Sequence, residues 1–234
     1  AEVTERRNAL AARAPKSNPP GVPERALILR LIAVVAALTH LAFEADLGVA
    51  GPFVKAVPVA VLASMVAGAA SLATPWSRGR KLAAAGLAVS ALADMAIEWS
   101  FLAGLAAFLA AHLLYIGAFV RVRPVLRVER LVPLLLWAGA LLPALVRHAG
   151  GLAVPVAVYG CVIFVMMWRA AATFEGSAES SGRLALAGAL LFGLSDSLLG
   201  WNRFVAPFSG ADLAVMATYW SGQVLIASAF SRRS

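Results

Sequence analysis

Two aspartates at matching positions of two apolar segments are the residues of this sequence whose type and spacing most favour chemistry. Asp94 and Asp196 each lie within a long apolar run, and each is followed five residues later by a tryptophan. A carboxylate inside a bilayer costs several kcal/mol, so such residues face the interior of a helix bundle and are functional candidates. Two carboxylates can share the work of general acid and general base. The alternative is a structural pair held by the hydroxyls of Ser90, Ser195 and Ser197.

Further polar side chains interrupt other apolar segments. His112 and Tyr115 are three residues apart, and Tyr219 and Gln223 are four apart, so each pair shares one face of a helix. Lys55 enters a neighbouring segment, where it either neutralises an aspartate or extends its amine to the membrane surface. No spacing typical of a zinc site is present, and we expect neither a metal nor another cofactor.

The elements that position these residues are predicted to be membrane-spanning helices. The chain has 234 residues, of which 61% are hydrophobic and 14% charged, and its mean hydropathy is +0.83. This composition excludes soluble enzymes, whose apolar share is nearer 45–50%. A helix needs about 20 apolar residues to cross a bilayer. We therefore predict an all-α polytopic membrane protein with eight transmembrane helices, at residues 26–43, 53–73, 82–98, 101–120, 131–147, 151–170, 184–201 and 211–230.

The positive charge of the chain predicts its orientation in the membrane. The net charge is +8, and 17 of the 20 lysines and arginines fall on the side of the eight-helix arrangement that carries both termini. Because basic residues concentrate on the cytoplasmic side, both termini are expected in the cytoplasm. The charge thus marks topology and does not indicate nucleic-acid binding. We divide the chain into a flexible basic, Pro-rich tail (1–25), one transmembrane domain (26–230) and a short basic tail (231–234).

Internal matches suggest two related halves. A glycine stands eight residues before each aspartate, the stretch at 112–119 aligns with 223–230, and the sequence VPVAV occurs at 57–61 and 154–158. These matches fit a parallel four-plus-four repeat. They also fit chance similarity in a chain rich in Ala, Val and Leu.

Four stretches together carry a resemblance to a known family. They contain, in order, the first aspartate with the HxxY element, a VYG motif, the SD motif followed by WNRF, and a YxxxQ element, at residues 86–119, 158–160, 188–204 and 215–230. In this combination the chain resembles the YhhN family of membrane lysoplasmalogenases over roughly residues 52–230. The resemblance implies an eight-helix fold and hydrolysis of the vinyl ether bond of lysoplasmalogens. The products would be a fatty aldehyde and a glycerophospho-alcohol.

The resemblance also assigns the site residues. Asp94 and Asp196 match the family's two aspartates and are expected to be catalytic. The matching supporting residues are His112, Tyr115, Asn202, Tyr219 and Gln223. The chain departs from the family pattern in having Ala93 before the first aspartate and Glu98 one turn after it; we expect Glu98 to be a solvated rim residue that affects substrate preference.

The chemistry suits these residues. Hydrolysis of an enol ether begins with protonation of the vinyl carbon and continues with attack of water on an oxocarbenium ion, so it needs an acid and a stabilising carboxylate. Two aspartates close together in an apolar site do not both ionise easily, so one is expected to keep its proton. Lys55 or Arg203 would meet the lipid phosphate. We expect both aspartates to line one cavity that opens to the outer leaflet, where the lysophospholipid enters from the bilayer and its chain lies along the third, fourth and seventh spans.

Two other functions fit part of the sequence. A proton-coupled transporter of small molecules or lipids would also use midplane carboxylates, and it would show Gly or Pro breaks in matched spans, to which Pro58 and Pro155 correspond weakly. A purely structural membrane protein would need no carboxylate pair. The oligomeric state is left open.

Overall fold

The computed structural model describes residues 34, 37, 38, 48–69, 75–176 and 180–231. The predicted first span, the N-terminal tail and all but Ser231 of the C-terminal tail lie, apart from these isolated residues, outside the described part of the chain. Within that part all regular structure is helical, with no strand. The seven α-helices are α1 (Gly51–Ala67), α2 (Pro75–Trp99), α3 (Phe101–Val122), α4 (Leu131–His148), α5 (Ala153–Thr173), α6 (Ser180–Gly200) and α7 (Ala211–Ser231).

Six of these helices, α2 to α7, are long and apolar enough to cross a membrane. They coincide with the predicted spans three to eight within a few residues at most ends. The second predicted span, 53–73, corresponds to α1, which has 17 residues and contains Pro58. Helix α1 ends earlier than predicted because Gly68 caps it, its N–H bonding to the carbonyl of Ser64 at 3.0 Å. The described chain is therefore an all-helical membrane protein with six candidate spans.

One stretch predicted as a loop is helical. Arg78, Arg80 and Lys81 lie in the first two turns of α2. The Arg80 side chain is buried, and it donates from Nε to the carbonyl of Phe230 at 3.2 Å and from Nη1 to that of Ala69 at 3.1 Å. Hydropathy placed the helix start too late because a long cationic side chain can be accommodated at a helix end when carbonyl oxygens accept hydrogen bonds from its N–H groups.

Consecutive helices run in alternate directions. Only Ser100 separates α2 from α3, and its side chain accepts a hydrogen bond from the N–H of Ala103 at 3.3 Å, which starts the next helix. We call the end of the bundle that contains Gly51, Trp99 and Gly200 the upper end and the opposite one the lower end. The carbonyl oxygens of the α3–α4 connection bind side chains of α5 at the lower end, where Arg169 donates to Val125 at 3.2 Å.

The packing is densest between α2 and α3 and between α6 and α7. Glycines allow the second of these contacts, because a Cβ atom on Gly188 would lie 2.7 Å from the carbonyl oxygen of Gly222. Helix α4 is peripheral by contrast. Only Leu134 and Leu145 are buried among its 18 residues, and it packs mainly on α5 and on a five-residue π-helix, Trp201–Val205, that extends α6.

Candidate active site

Asp94 lies in the interior of the bundle. It is 1% exposed, and its Oδ2 accepts a hydrogen bond of 2.9 Å from the hydroxyl of Tyr219 on α7. Lys55, Glu98 and Asp196 lie within electrostatic range of its carboxylate. The Asp94 carboxylate is thus held by a tyrosine from the far half of the chain.

A second hydrogen-bonded group adjoins Asp94. The Tyr115 hydroxyl donates to Oε1 of Gln223 at 2.8 Å, and it lies 3.4 Å from the Ser90 hydroxyl. These three side chains are fully buried. The Tyr115 ring approaches α2 closely because residue 86 is glycine, since a Cβ there would be 2.7 Å from Tyr115 Cε1. The HxxY and YxxxQ elements therefore meet across α3 and α7.

Asp196 has different neighbours. Its Oδ2 accepts a short hydrogen bond of 2.5 Å from the hydroxyl of Tyr159 on α5. The Nε2 atom of His112 on α3 lies 3.9 Å from the same oxygen, and the Asp196 side chain is 15% exposed. Asp196 is thus approached by one donor and one imidazole nitrogen.

The hydrogen bond of His112 determines what that nitrogen can do. Its Nδ1 lies 2.6 Å from the carbonyl oxygen of Phe108, and a carbonyl can only accept, so Nδ1 carries the hydrogen. In the neutral ring Nε2 is then a proton acceptor. This atom is buried and has no hydrogen-bond partner among the described residues. His112 can therefore accept a proton beside Asp196.

Aromatic rings lie between the residues that contact the two aspartates. The Phe192 ring packs 5.2 Å from that of Tyr219, which binds Asp94, and 4.8 Å from that of His112, which faces Asp196. Phe108 adds a further ring, 5.8 Å from Tyr219 and 6.2 Å from Phe192. Phe108 and Phe192 thus form a wall of rings between the partner of Asp94 and the histidine beside Asp196.

An apolar cavity adjoins Asp196. Asp196, Tyr159 and Ser197 are its polar lining residues, and the others are apolar side chains and glycines of α2 to α6 and the π-helix. Asp94 does not belong to the lining. We expected one cavity lined by both aspartates, but among the described residues Asp196 is the only carboxylate that lines it. We expected the substrate chain along the third, fourth and seventh spans, which are α2, α3 and α6. The cavity lining comes mainly from α3 to α6.

Arg203 lies at the upper margin of the cavity. Its guanidinium carbon is 3.9 Å from the ring centroid of Phe101, which lines the cavity together with Phe204. The π-helix carries Arg203 and Phe204, and such helices are frequent at functional sites. Asn202 has a local contact instead, because its Oδ1 accepts from the N–H of Phe208 at 3.1 Å. It stabilises the turn before α7.

The ion-pair partner of Lys55 is a glutamate, which neither of its two predicted alternatives included. Lys55 Nζ lies 2.6 Å from Oε1 of Glu98, one turn above Asp94, and the Glu98 side chain is 40% exposed. The prediction that Glu98 is a solvated rim residue was incomplete, since it is both partly exposed and paired with Lys55. The next residue, Trp99, packs edge-on against Phe53 at 6.3 Å.

The serines do not hold the carboxylates. Ser195 donates to the carbonyl of Val215 at 2.9 Å and Ser197 to that of Gly193 at 2.7 Å, while Ser90 contacts Tyr115. Tyrosines bind the carboxylates instead, Tyr219 at Asp94 and Tyr159 at Asp196. Within the described ranges, no three His, Cys, Asp or Glu side chains form a group suited to a metal ion.

Tyr159 is the site residue that the predictions omitted. It appeared only in the VYG motif of the resemblance, because a tyrosine in an apolar helix is usually a packing or interfacial residue. One signal could have identified it. The chain has only three tyrosines, and two of them, Tyr115 and Tyr219, were already assigned to the site by their spacing from other polar residues.

Comparison with known proteins places the chain among related membrane proteins. It is 36% identical to lysoplasmalogenase TMEM86B of Homo sapiens over 176 residues, which are 74% of this chain and 72% of the human protein. It is 39% identical to the Sus scrofa protein of the same name over 150 residues, 62% of each chain. A lysoplasmalogenase of Mycobacterium bovis is 29% identical over 174 residues, 69% of this chain and 65% of that protein. No solved structure matches the chain.

The family comparison covers most of the described bundle. The model of the YhhN family matches residues 50–230, which include all seven helices except the last residue of α7. The matched region contains both aspartates, their tyrosine partners and the cavity. The chain therefore belongs to the YhhN family.

Proposed function

We propose that the protein is a membrane lysoplasmalogenase, which hydrolyses the vinyl ether bond of a lysoplasmalogen or a related lysolipid. The names of its relatives support this reaction. The observation that carries it in this chain is Asp196, a carboxyl group bound by Tyr159 and presented to an apolar cavity inside a helical membrane bundle. An apolar cavity with one carboxyl group suits a lipid whose reacting atoms are carbons next to an ether oxygen.

The reaction consumes one water. A proton is added to the second carbon of the vinyl group, and the first carbon becomes part of an oxocarbenium ion. Water attacks that carbon and loses a proton, which gives a hemiacetal. The hemiacetal collapses to a fatty aldehyde and a glycerophospho-alcohol. The protein must therefore supply a proton to carbon, stabilise a cation and accept a proton from water.

Asp196 is the group that we place against the substrate. In its protonated form it donates to the vinyl carbon, and the resulting carboxylate stabilises the cation. Tyr159 fixes the orientation of the carboxyl group through Oδ2. The acceptor nitrogen of His112, 3.9 Å from Oδ2, is suited to receive a proton from the attacking water.

Asp94 takes the second role in this proposal. It lies behind the ring wall and is held by Tyr219. Its negative charge would stabilise the cation through an apolar interior, where electrostatic interactions are stronger than in water. Tyr115 and Gln223 support Tyr219 and fix the position of α7 against α3. We thus propose that both aspartates are required and that they do different work.

The head group is proposed to lie at the upper margin. Arg203 is exposed beside the two phenylalanines that line the cavity, and it can bind a phosphate. Lys55 can contribute only when its pair with Glu98 opens. Asn202 supports this region by holding the turn.

Helix continuity favours an enzyme over a transporter. Transport sites are typically formed by broken helices, whereas α2 and α6 contain no proline beyond their first residue and run without interruption past Asp94 and Asp196. Proline lies inside α1 and α4, which carry neither aspartate.

We further propose that the full bundle has eight spans in two related halves, with α1 to α3 equivalent to α5 to α7. Packing supports this, since α2 contacts α3 as α6 contacts α7, and α3 contacts α5 as α7 contacts α1. Phe108 and Tyr219, equivalent in the aligned frame, have ring centroids 5.8 Å apart, as do Phe119 and Phe230. Equivalent residues touch when they lie near a twofold axis.

The orientation is proposed from charge. Of the arginines and lysines in the described part of the chain, most lie at the lower end, with Lys55, Arg147 and Arg203 at the upper one. The lower end and both termini would then be cytoplasmic. The cavity would lie in the outer half of the membrane, where a lysophospholipid meets it.

A substrate comparison tests the function. The purified full-length protein is incubated in lipid nanodiscs with an alkenyl lysophospholipid and with its saturated alkyl ether counterpart, and aldehyde is measured. We expect aldehyde from the alkenyl lipid alone, because a saturated ether has no vinyl carbon to protonate. Absence of aldehyde from a folded protein would refute the proposed activity.

A further inference from the structure

The cavity ends a short distance below Asp196. On α6 its lowest lining residue is Gly193, three residues below Asp196, and on α5 it is Phe164, five residues below Tyr159. At a helix rise of 1.5 Å per residue these steps are about 5 and 8 Å. A chain that spans one leaflet is about 15 Å long, half of the roughly 30 Å hydrocarbon core. Such a chain cannot continue downward from Asp196 within the cavity.

The upper margin of the cavity cannot take the chain either. The phosphate of the substrate is charged, and an apolar cavity would hold it only at a high energetic cost. It must therefore lie toward water at the upper end, beside Arg203. Since head group and chain leave the vinyl ether on opposite sides, the chain must pass sideways through a wall of the cavity.

Helix α4 is the wall with the weakest packing. Two of its 18 residues are buried, against eleven of 21 in α5 and nine of 21 in α6. Leu141, Leu142 and Leu145 line the cavity from one face of α4. On another face Leu135 and Leu136 are 57% and 71% exposed. This helix therefore stands between the cavity and the surrounding lipid.

Leucine-to-glycine contacts hold α4 in place. Leu142 lies so close to Gly160 on α5 that a Cβ atom on that glycine would collide with its Cδ2 atom. Leu145 makes the corresponding contact with Gly200, where a Cβ would be 2.9 Å from Leu145 Cδ1. Contacts of this kind are van der Waals contacts between apolar groups, which lipid tails can replace.

We propose that the substrate chain binds between α4 and the rest of the bundle. It reaches the cavity from the bilayer through the seam between α4 and α5 at Leu142 and Gly160. The ligand of this site is a single long hydrocarbon chain joined to a polar head. The identity of that lipid rests on the proposed function, whereas the path through the seam rests on the packing of α4.

A reversible lock across the seam tests the proposal. An ideal Cβ on residue 160 lies 3.5 Å from Leu142 Cγ, the position that a cysteine sulfur takes. This is close to the separation of about 3 Å that S–S bond geometry sets between the sulfur of one cysteine and the Cβ of the other. Leu142→Cys and Gly160→Cys are combined with Cys161→Ser, which removes the only native cysteine. Reduced and oxidised forms of this protein are then compared.

Three probes are used on both forms. They are a long-chain alkenyl lysophospholipid, a short water-soluble vinyl ether, and a radiolabelled saturated ether lysolipid whose binding rate needs no catalysis. Oxidation is expected to lower long-chain hydrolysis and the binding rate at least about tenfold. Hydrolysis of the short ether is expected to change less than about twofold, and reduction should restore the long-chain reaction.

A single-cysteine variant controls for the oxidant. Leu142→Cys on the Cys161→Ser background has no second cysteine with which to form a crosslink. Oxidant treatment of this variant is expected to alter its binding rate less than about twofold.

Two results would refute entry of the chain through the seam. One is a locked protein that still binds the saturated ether lysolipid at the rate of its reduced form. The other is equal loss of the short and the long vinyl ether, which would mean damage to the chemistry. If the wild-type protein hydrolyses neither ether but oxidation of the double-cysteine variant still lowers its lipid binding, the proposed function is refuted and entry through the seam is retained.

Discussion

Asp94 and Asp196 occupy matching positions of α2 and α6, yet their surroundings differ. Asp94 is 1% exposed and bound by Tyr219 within a closed polar network. The Asp196 side chain is 15% exposed, bound by Tyr159 and adjacent to a cavity. Two carboxylates at matching positions of two helices thus lie in a closed and an open environment.

This difference gives the two aspartates different access to a substrate. Each aspartate is approached from a different helix, Asp94 by Tyr219 of α7 and Asp196 by His112 of α3. The cavity makes the two positions unequal, since α3 to α6 leave space beside Asp196, whereas Asp94 lies outside the cavity lining. We therefore expect Asp196 to meet the substrate and Asp94 to act through space or through Tyr219.

The largest effect is expected at the open site. Asp196→Asn removes the proposed acid while preserving shape, so turnover should fall by about a thousandfold or more, within the usual range for general acid–base catalysis. Aldehyde release by purified protein measures it, with gel filtration and thermal unfolding as controls for folding. Turnover within tenfold of wild type would reduce Asp196 to a structural residue.

A smaller loss is expected at the closed site. Asp94→Asn keeps an oxygen that accepts from Tyr219 but removes the charge, so kcat should fall by about a hundredfold, the lower end for such groups. KM should stay within about twofold because Asp94 lies outside the cavity lining. A loss confined to KM would contradict the assignment, and so would a loss equal to that of Asp196→Asn.

The tyrosine partners sharpen the contrast. Tyr159→Phe removes one hydrogen bond to the substrate-facing carboxyl group, and at about 1.5 kcal/mol this should cost about tenfold in kcat. Tyr219→Phe removes the equivalent bond on the closed side and is the matched control. It should lower kcat less than Tyr159→Phe does. The reverse order in steady-state kinetics would place the reacting carboxyl group on the Asp94 side.

The smallest effect is expected at the ion pair of Lys55 and Glu98. Glu98→Gln breaks a partly exposed ion pair with Lys55, which is worth about 0–1 kcal/mol. Thermal stability should change little, and freeing Lys55 for the phosphate should lower KM for a phospholipid substrate by less than about fivefold. Kinetics with phosphorylated and phosphate-free alkenyl glycerols would show this. An equal change in KM for both substrates would contradict a role of Lys55 in binding the phosphate.

Much of the fold could be predicted from apolar length alone. Six spans agree because continuous apolar runs have few alternatives in a bilayer. The lower start of α2 was missed because Arg80 contradicts a hydropathy rule until its acceptors, the carbonyls of Ala69 and Phe230, are known. Those acceptors come from distant positions of the chain, so no local window contains them.

The site was predictable where its partners share a helix. His112 with Tyr115, and Tyr219 with Gln223, stand out by their spacing. The bond from Tyr159 to Asp196 joins residues 37 positions apart, and that from Lys55 to Glu98 joins residues 43 apart. Such pairs depend on which helices are neighbours. The difference in exposure between Asp94 and Asp196 also depends on which helices are neighbours. For that reason the sequence suggested two equivalent carboxylates.

The most direct test of the account is a structure of the full-length protein in lipid with a saturated ether lysophospholipid bound. We predict the ether carbon next to the oxygen within contact distance of the Asp196 carboxyl group, the phosphate toward Arg203, and Asp94 still bound to Tyr219. A ligand whose ether lies against Asp94, with Asp196 remote from it, would contradict the central claim that the open aspartate is the one that reacts.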